Sequence, residues 1–240
     1  MSNKPLKTQG FAQGIYQQSS VQMHDLDTVR YLSDGRAFAY AQAGAVALAA
    51  GKMTMGASPD SNANDETLAA SAAIGATVLS VTFGGAVTAN VYKDGWIWPN
   101  DDTGEGSLYQ VKSHAAGTTA VQVYLKDPVR VAMTAGATTI SAIANRQAGV
   151  LLGTHALTSA PAGIPPIAVT EAYYFWNQVK GPAVCLANGT LVIGNQAGII
   201  AASGALTPLG ASDVIGSLGV VMSVNAATEY ALINLAIPGY

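Results

Sequence analysis

The chain is poor in charge. Only 10% of its 240 residues are Asp, Glu, Lys or Arg, against roughly 25% in an ordinary globular domain. Residues 181–240 contain no Lys, Arg or His, and their only acids are Asp213 and Glu229. Such a stretch cannot easily clothe a free-standing soluble surface, which predicts that other protein covers much of it. Positive charge is scarce as well. The eleven Lys and Arg form no run and the net charge is −3, so there is no basic field to gather nucleic acid. The single cysteine, Cys185, excludes an intrachain disulfide and any Cys-based metal cluster. Its setting, Pro-Ala-Val-Cys-Leu-Ala, reads as a core strand carrying an inert thiol. Long apolar runs are missing too. The most apolar stretches, 43–50 and 198–206, are too short and too rich in Gly and Ala to cross a bilayer. The opening Met-Ser-Asn-Lys-Pro-Leu-Lys-Thr-Gln-Gly has no apolar core of a signal peptide, so assembly in the cytoplasm is expected, with no membrane partner.

Paired catalytic signatures are also absent. His24, His114 and His155 stand alone, in no metal-ligand spacing. There is no Gly-x-Ser-x-Gly elbow. Gly44 to Gly51-Lys52 has too many intervening residues for a phosphate loop, and Met53 stands where Ser or Thr would hold magnesium. Gly104-Glu105-Gly106 lacks the third glycine of a dinucleotide fingerprint, Tyr109 taking its place. The loop Asp60-Ser61-Asn62-Ala63-Asn64-Asp65 begins like a calcium loop. Asp65 and Ser71, however, occupy the positions of its glycine and its bidentate glutamate. That loop and Asn100-Asp101-Asp102-Thr103-Gly104-Glu105 read as solvated turns. The expectation is a non-enzymatic protein with no cofactor and no metal.

What the chain does contain is a period of two. Apolar residues alternate with polar ones at Leu79, Val81 and Phe83; at Val87, Ala89 and Val91; and at Val121, Val123 and Leu125. They do so again at Val129, Val131 and Met133, and at Ala231, Ile233, Leu235 and Ile237. Each run predicts a strand with one face in a core. Ser33-Asp34-Gly35-Arg36 and Ala187-Asn188-Gly189-Thr190 each sit between such runs as hairpin turns, the second joining 183–186 to 191–193. Helix is scarce. Asn64-Asp65-Glu66-Thr67-Leu68-Ala69-Ala70 offers a cap and early acids for one short helix, and 41–50 reads as mainly extended.

The fold class that follows is all-β and mainly antiparallel. Residues 1–27 are Gln- and Ser-rich with anchors at Phe11, Ile15, Tyr16 and Met23. They read either as a disordered terminus or as an extended arm lying across a neighbour. Residues 28–153 form one β-rich region. Residues 154–166, with Pro161, Gly163, Pro165 and Pro166, form a linker or crossover. Residues 167–240 form a second β-rich region, and the two can share strands.

The aromatic residues are the candidate interaction points. Trp96 and Trp98 share one strand face. Core packing is the plain role for that face, and a sugar-stacking platform beside Asp94, Asn100 and Asp101 is its functional rival. Tyr173, Tyr174, Phe175 and Trp176 put bulk on both faces of one strand, which suits either core packing or contact with another subunit.

Several segments also carry a resemblance. Thr28-Val-Arg-Tyr-Leu-Ser-Asp-Gly-Arg-Ala-Phe-Ala-Tyr-Ala-Gln-Ala-Gly, with Leu48-Ala-Ala-Gly-Lys-Met, resembles the opening of virion structural proteins of tailed bacteriophages. Glu105-Gly106, Tyr109, Lys112 and Leu125-Lys-Asp-Pro-Val-Arg-Val-Ala-Met resemble their middle. Gly163-Ile-Pro-Pro-Ile-Ala-Val-Thr-Glu-Ala-Tyr-Tyr-Phe-Trp-Asn-Gln-Val-Lys-Gly-Pro-Ala, running on through Asn188-Gly189-Thr and Gly194, is similar to the small β-barrel of phage head decoration, or cement, proteins. Ile215-Gly-Ser-Leu-Gly-Val-Val and Glu229-Tyr-Ala-Leu-Ile-Asn-Leu fit its closing strands. The resemblance touches most of 28–240. It implies a small C-terminal β-barrel, a homotrimer bound to the major capsid protein, and a place on the outer surface of the virion. The rival role for the aromatic face is a carbohydrate-binding or host-attachment module on that surface.

Overall fold

A computed structural model describes residues 11–153, 159–199, 203–209 and 216–240. The first strands are β1 (Val29–Tyr31), β2 (Ala37–Gln42) and β3 (Thr54–Met55). The middle of the chain supplies β4 (Glu66–Ala70), β5 (Val78–Thr82), β6 (Trp96–Asp101), β7 (Tyr109–His114), β8 (Val121–Leu125) and β9 (Thr139–Ile143). The rest supplies β10 (Leu151–Leu152), β11 (Pro161–Gly163), β12 (Tyr174–Leu186), β13 (Gln196–Ile199), β14 (Leu206–Pro208), β15 (Gly219–Ser223) and β16 (Tyr230–Ala236). Alternating runs with few helix formers leave little else to build, and the fold is nearly all β with antiparallel ladders.

The strands form three groups. Strands β4-β5-β8-β7-β6-β9 close into a six-stranded barrel. Its interior is filled by Leu68, Leu79, Val81, Ile97, Tyr109, Val111, Val123 and Ile140, each burial being worth roughly 1.5–3 kcal/mol relative to exposure. Strands β1-β2-β12-β16-β15-β13-β14 form an open seven-stranded sheet, and β10-β3-β11 a small third sheet. One face of the large sheet packs Ala183, Cys185, Val221, Ile233 and Leu235 into a second core with Met53, Met55 and Ile164.

The long strand β12 organises the sheet. Its first half pairs with β2, from Tyr174 opposite Gln42 to Lys180 opposite Ala37. Its second half pairs with β16, from Lys180 opposite Ala236 to Leu186 opposite Tyr230. Gly181 follows the hand-over at φ +85°, a conformation that glycine adopts without steric cost. The N-terminal strands therefore share a sheet with the C-terminal ones, and the barrel is an insertion between them.

This corrects the expected layout. The closed barrel is built by the middle of the chain, not by 167–240. The C-terminal strands cannot close on themselves because β12 is flanked by β2 and β16. The proline-rich segment is not only a linker, since Pro161–Gly163 pairs with β3; residues 154–158 lie outside the described ones. The expected helix at 64–70 is β4, because Thr67 pairs with both β5 and β9, flanked by Glu66 on β9 and Leu68 on β5. A single 3-10 turn, Ser61–Ala63, precedes it, capped by the Asp60 side chain. The runs at 87–91 and 129–133 stay out of the ladders. Val87 and Met133 make isolated bridges only, and Asn90 sits at φ +61° in a turn. The first hairpin turn joins β1 to β2 as expected. The turn at Asn188-Gly189 does not pair 183–186 with 191–193, because β16 already occupies that edge of β12.

Candidate interaction surface

Residues 11–27 bind their own chain. Phe11 packs edge-on to Trp176, with ring centroids 5.1 Å apart, and Ile15 packs against the same cluster of Leu26, Phe38, Tyr40 and Trp176. Buried Gln13 sits at the centre. Its Nε2 donates to Tyr174 O at 3.0 Å, its Oε1 accepts from the Tyr40 hydroxyl at 2.8 Å, and its carbonyl accepts from Trp176 Nε1 at 2.9 Å. Ser19 bridges to Tyr174 through two backbone bonds of 2.9 and 2.7 Å. The described part of the arm thus adds two of its anchors, Phe11 and Ile15, to its own sheet, while Tyr16 and Met23 stay exposed; residues 1–10 lie outside the described ones.

The same segment then reaches the barrel. Asp94, at φ +61°, points a carboxylate with 1% side-chain exposure into the junction. Its Oδ2 accepts from Gln22 Nε2 at 2.9 Å and from the Leu26 amide at 3.3 Å. Its Oδ1 faces Lys126 Nζ at 2.9 Å, an ionic contact without good hydrogen-bond alignment. Lys126 also meets Asp25 Oδ2 at 2.7 Å. Burial by itself lowers the Lys126 pKa, but the two carboxylates together outweigh it and raise the pKa. Asn145 donates to Asp94 O at 2.9 Å and completes the joint. Residues 22–26 form a strap that binds barrel to sheet.

The sequence-derived candidates separate accordingly. Phe175 and Trp176 are fully buried, and Phe11 and Ile15 are partly buried against that core, so these four serve the interior. Tyr173 and Tyr174 are half-buried. Tyr16 is 59% exposed and lines a cleft of about 400 Å³ with Arg36, Pro165, Pro182 and Tyr230. Trp96 and Trp98 do share the outer face of β6, but Asp94 is turned inward to the strap, and Asn100 bonds Asp65 and Thr139. Cys185 is buried, and burial pushes its thiol up to about 12, so the reading of an inert thiol holds. His114 is buried in the barrel, where its Nε2 accepts from the Tyr92 amide at 3.1 Å, a structural role. His155 lies outside the described residues. Among the described residues no three His, Cys, Asp or Glu come together as metal ligands, and no helix is long and apolar enough to cross a membrane.

The surface that residue-by-residue reading missed is the outer face of the large sheet. Pro182, Asn234, Val220 and Gln196 lie in register across β12, β16, β15 and β13. Val184 lies opposite Leu232, and Leu186 opposite Tyr230. Val184, Val220, Met222 and Tyr230 are between 40% and 54% exposed. Lys180, at the end of the face, is its only charge among these strands. The signal was present in the sequence, as alternation whose outward positions are valine, methionine and asparagine instead of lysine and glutamate.

The chain matches no protein-family model, no curated protein and no solved structure. Its own surface therefore carries the functional reading.

Proposed function

We propose that this protein is a non-enzymatic decoration, or cement, protein of a tailed-bacteriophage head. In this reading it binds the outer shell as a homotrimer and stabilises it by contact with the major capsid protein. The carrying observation is the uncharged outer face of the large sheet around Val184, Val220, Met222, Tyr230 and Leu232. Lysine and glutamate are depleted at interfaces, and apolar and aromatic side chains line their cores. The resemblance of 28–44 and 48–53 to virion structural proteins supports the same assignment, while the small barrel implied by the resemblance of 163–194 is not what those residues form.

The mechanism is additive. Burial contributes roughly 25 cal/mol per Å² before the cost of association, and a stable contact buries about 800 Å² per partner. A trimer that straddles several capsid subunits engages each one, and simultaneous engagement multiplies modest contacts. Phe11 and Ile15 are committed to the protein's own fold, whereas the sheet face and Tyr16 are exposed and open to partners.

Light scattering on the purified protein, with a binding assay on empty capsid shells, tests the reading. A trimer that attaches to shells is expected, and Val184→Lys with Val220→Lys should lose assembly while keeping the β circular-dichroism spectrum. A stable monomer at micromolar concentration that ignores the shells would refute it.

A further inference from the structure

A second cleft lies where barrel and sheet meet, on the side of β6 that carries Trp96. It encloses about 370 Å³ and is lined by Trp96, Asp27, Arg146, Asn145, Pro59 and Ser159. Clefts that hold small molecules run from roughly 300 to 1,000 Å³. The key side chains come from three places in the chain: Trp96 from the barrel, Asp27 from the end of the strap, and Arg146 from the segment between β9 and β10.

The three are unequal in what holds them. Trp96 is 40% exposed, whereas Trp176 is fully buried and Trp98 is half-buried. An indole left open in a concave wall offers a flat apolar face. Arg146 is already oriented: its guanidinium lies 4.4 Å from the Tyr240 ring centroid, and Nη1 donates to Pro238 O at 2.7 Å. A guanidinium has five N–H donors, so donors remain for a ligand. Asp27 accepts from the Tyr240 hydroxyl at Oδ1, and a carboxylate offers about four acceptor sites in all. The cleft therefore presents a stacking surface, a preorganised donor and an acceptor.

We propose that this cleft binds a neutral pyranose saccharide, with the C–H face of the sugar on Trp96 and its hydroxyls shared between Asp27 and Arg146. One cation and one carboxylate leave the walls close to neutral, which suits a hydroxyl-rich uncharged ligand better than a nucleotide or an acidic sugar. The site needs no capsid, so its fate is separate from that of the cement reading.

Tryptophan fluorescence and calorimetry on the full chain provide the test. The probes are methyl glycosides of glucose, galactose, mannose and N-acetylglucosamine, and short oligomers of each. Saturable binding of at least one is expected. Trp96→Ala should weaken it by about tenfold or more. Trp96→Phe should recover part of that loss, and Asp27→Asn should weaken binding severalfold. Trp98→Ala should leave affinity unchanged, because Trp98 shares the strand face but does not line the cleft. The proposal is overturned by no saturable binding to concentrations on the order of 100 mM, or by wild-type affinity in Trp96→Ala.

Discussion

The barrel and the large sheet solve the same problem in opposite ways. Both are antiparallel and both bury a tightly packed core. The barrel closes on itself through the β9–β4 ladder and so has no free edge. Its exterior carries ordinary solvating groups such as Lys112, Gln122, Asp101, Glu105 and Arg130. The sheet keeps two edges, at β1 and β14, and a face nearly without charge. Open edges and bare apolar faces are hazards that soluble proteins normally blunt with lysine, proline or a covering element. Among the described residues the barrel exterior mixes charge with exposed Ile74, Leu108 and Tyr124, whereas the outer face of the sheet is nearly uncharged. The lack of charge is concentrated in the C-terminal strands of the sheet.

That contrast can be broken most forcefully at Trp176. Trp176→Ala removes the indole that Phe11, His24 and Tyr40 pack against and orphans the Gln13 carbonyl. The expected cost is about 3–5 kcal/mol. Hydrogen exchange should show amides of β2 and β12 losing protection while β5 and β8 keep theirs. Equal loss in both regions would mean that they are one cooperative unit.

Asp94 comes next in size. Asp94→Ala leaves Lys126 beside Asp25 alone and frees the donors of Gln22 and Leu26, which should cost about 3 kcal/mol. Denaturant unfolding should then split into two transitions, barrel and sheet. A single transition at the wild-type midpoint would show that the strap contributes nothing. Asp94→Asn, which tolerates the positive φ and keeps an acceptor, should fall between the two.

Acidity should give the smallest and most selective effect. His114 is neutral in the barrel, with Nδ1 donating to Ala115 O at 2.9 Å while Nε2 accepts from Tyr92. Burial lowers its pKa from 6.5, opposed in part by the Ala115 bond. The unfolded chain therefore binds more protons as pH falls through 6.5 towards the lower folded value. Barrel stability should decline across that window and level off below it. Asp27, on the sheet side, has the opposite sign. Burial raises its pKa above 3.8, against the lowering influence of Tyr240 and Arg146, so its contribution is lost as pH rises from 3.8 through the folded value. Unfolding curves at pH 8 and pH 5 for wild type and His114→Gln measure the first effect. Identical pH dependence in the two proteins would assign it elsewhere.

Strand existence was largely legible in the sequence and strand partnership was not. The runs at 79–83, 121–125 and 231–237 became β5, β8 and β16 because alternation depends only on each strand having one wet and one dry side. The barrel was expected at the wrong end because closure depends on which edges are taken. Nothing local to 167–240 says that β12 gives one edge to Ala37–Gln42. The aromatic candidates misled for a related reason. Bulk on both faces of Tyr174–Trp176 is as well served by an N-terminal arm folded back on the strand as by another subunit, and Gln13 makes the arm the answer. The bare sheet face was legible as missing charge, but its members could be named only once the register was known.

The barrel's first and last strands lie side by side, Glu66 opposite Ile140. The polypeptide thus leaves the sheet and returns to it at almost the same spot. A folded module with such closely spaced termini behaves as a cassette: its loops can lengthen, shrink or be exchanged without altering how the platform beneath is woven. Any variety in what this molecule shows to its surroundings has a ready place to accumulate there, while the sheet beneath stays fixed.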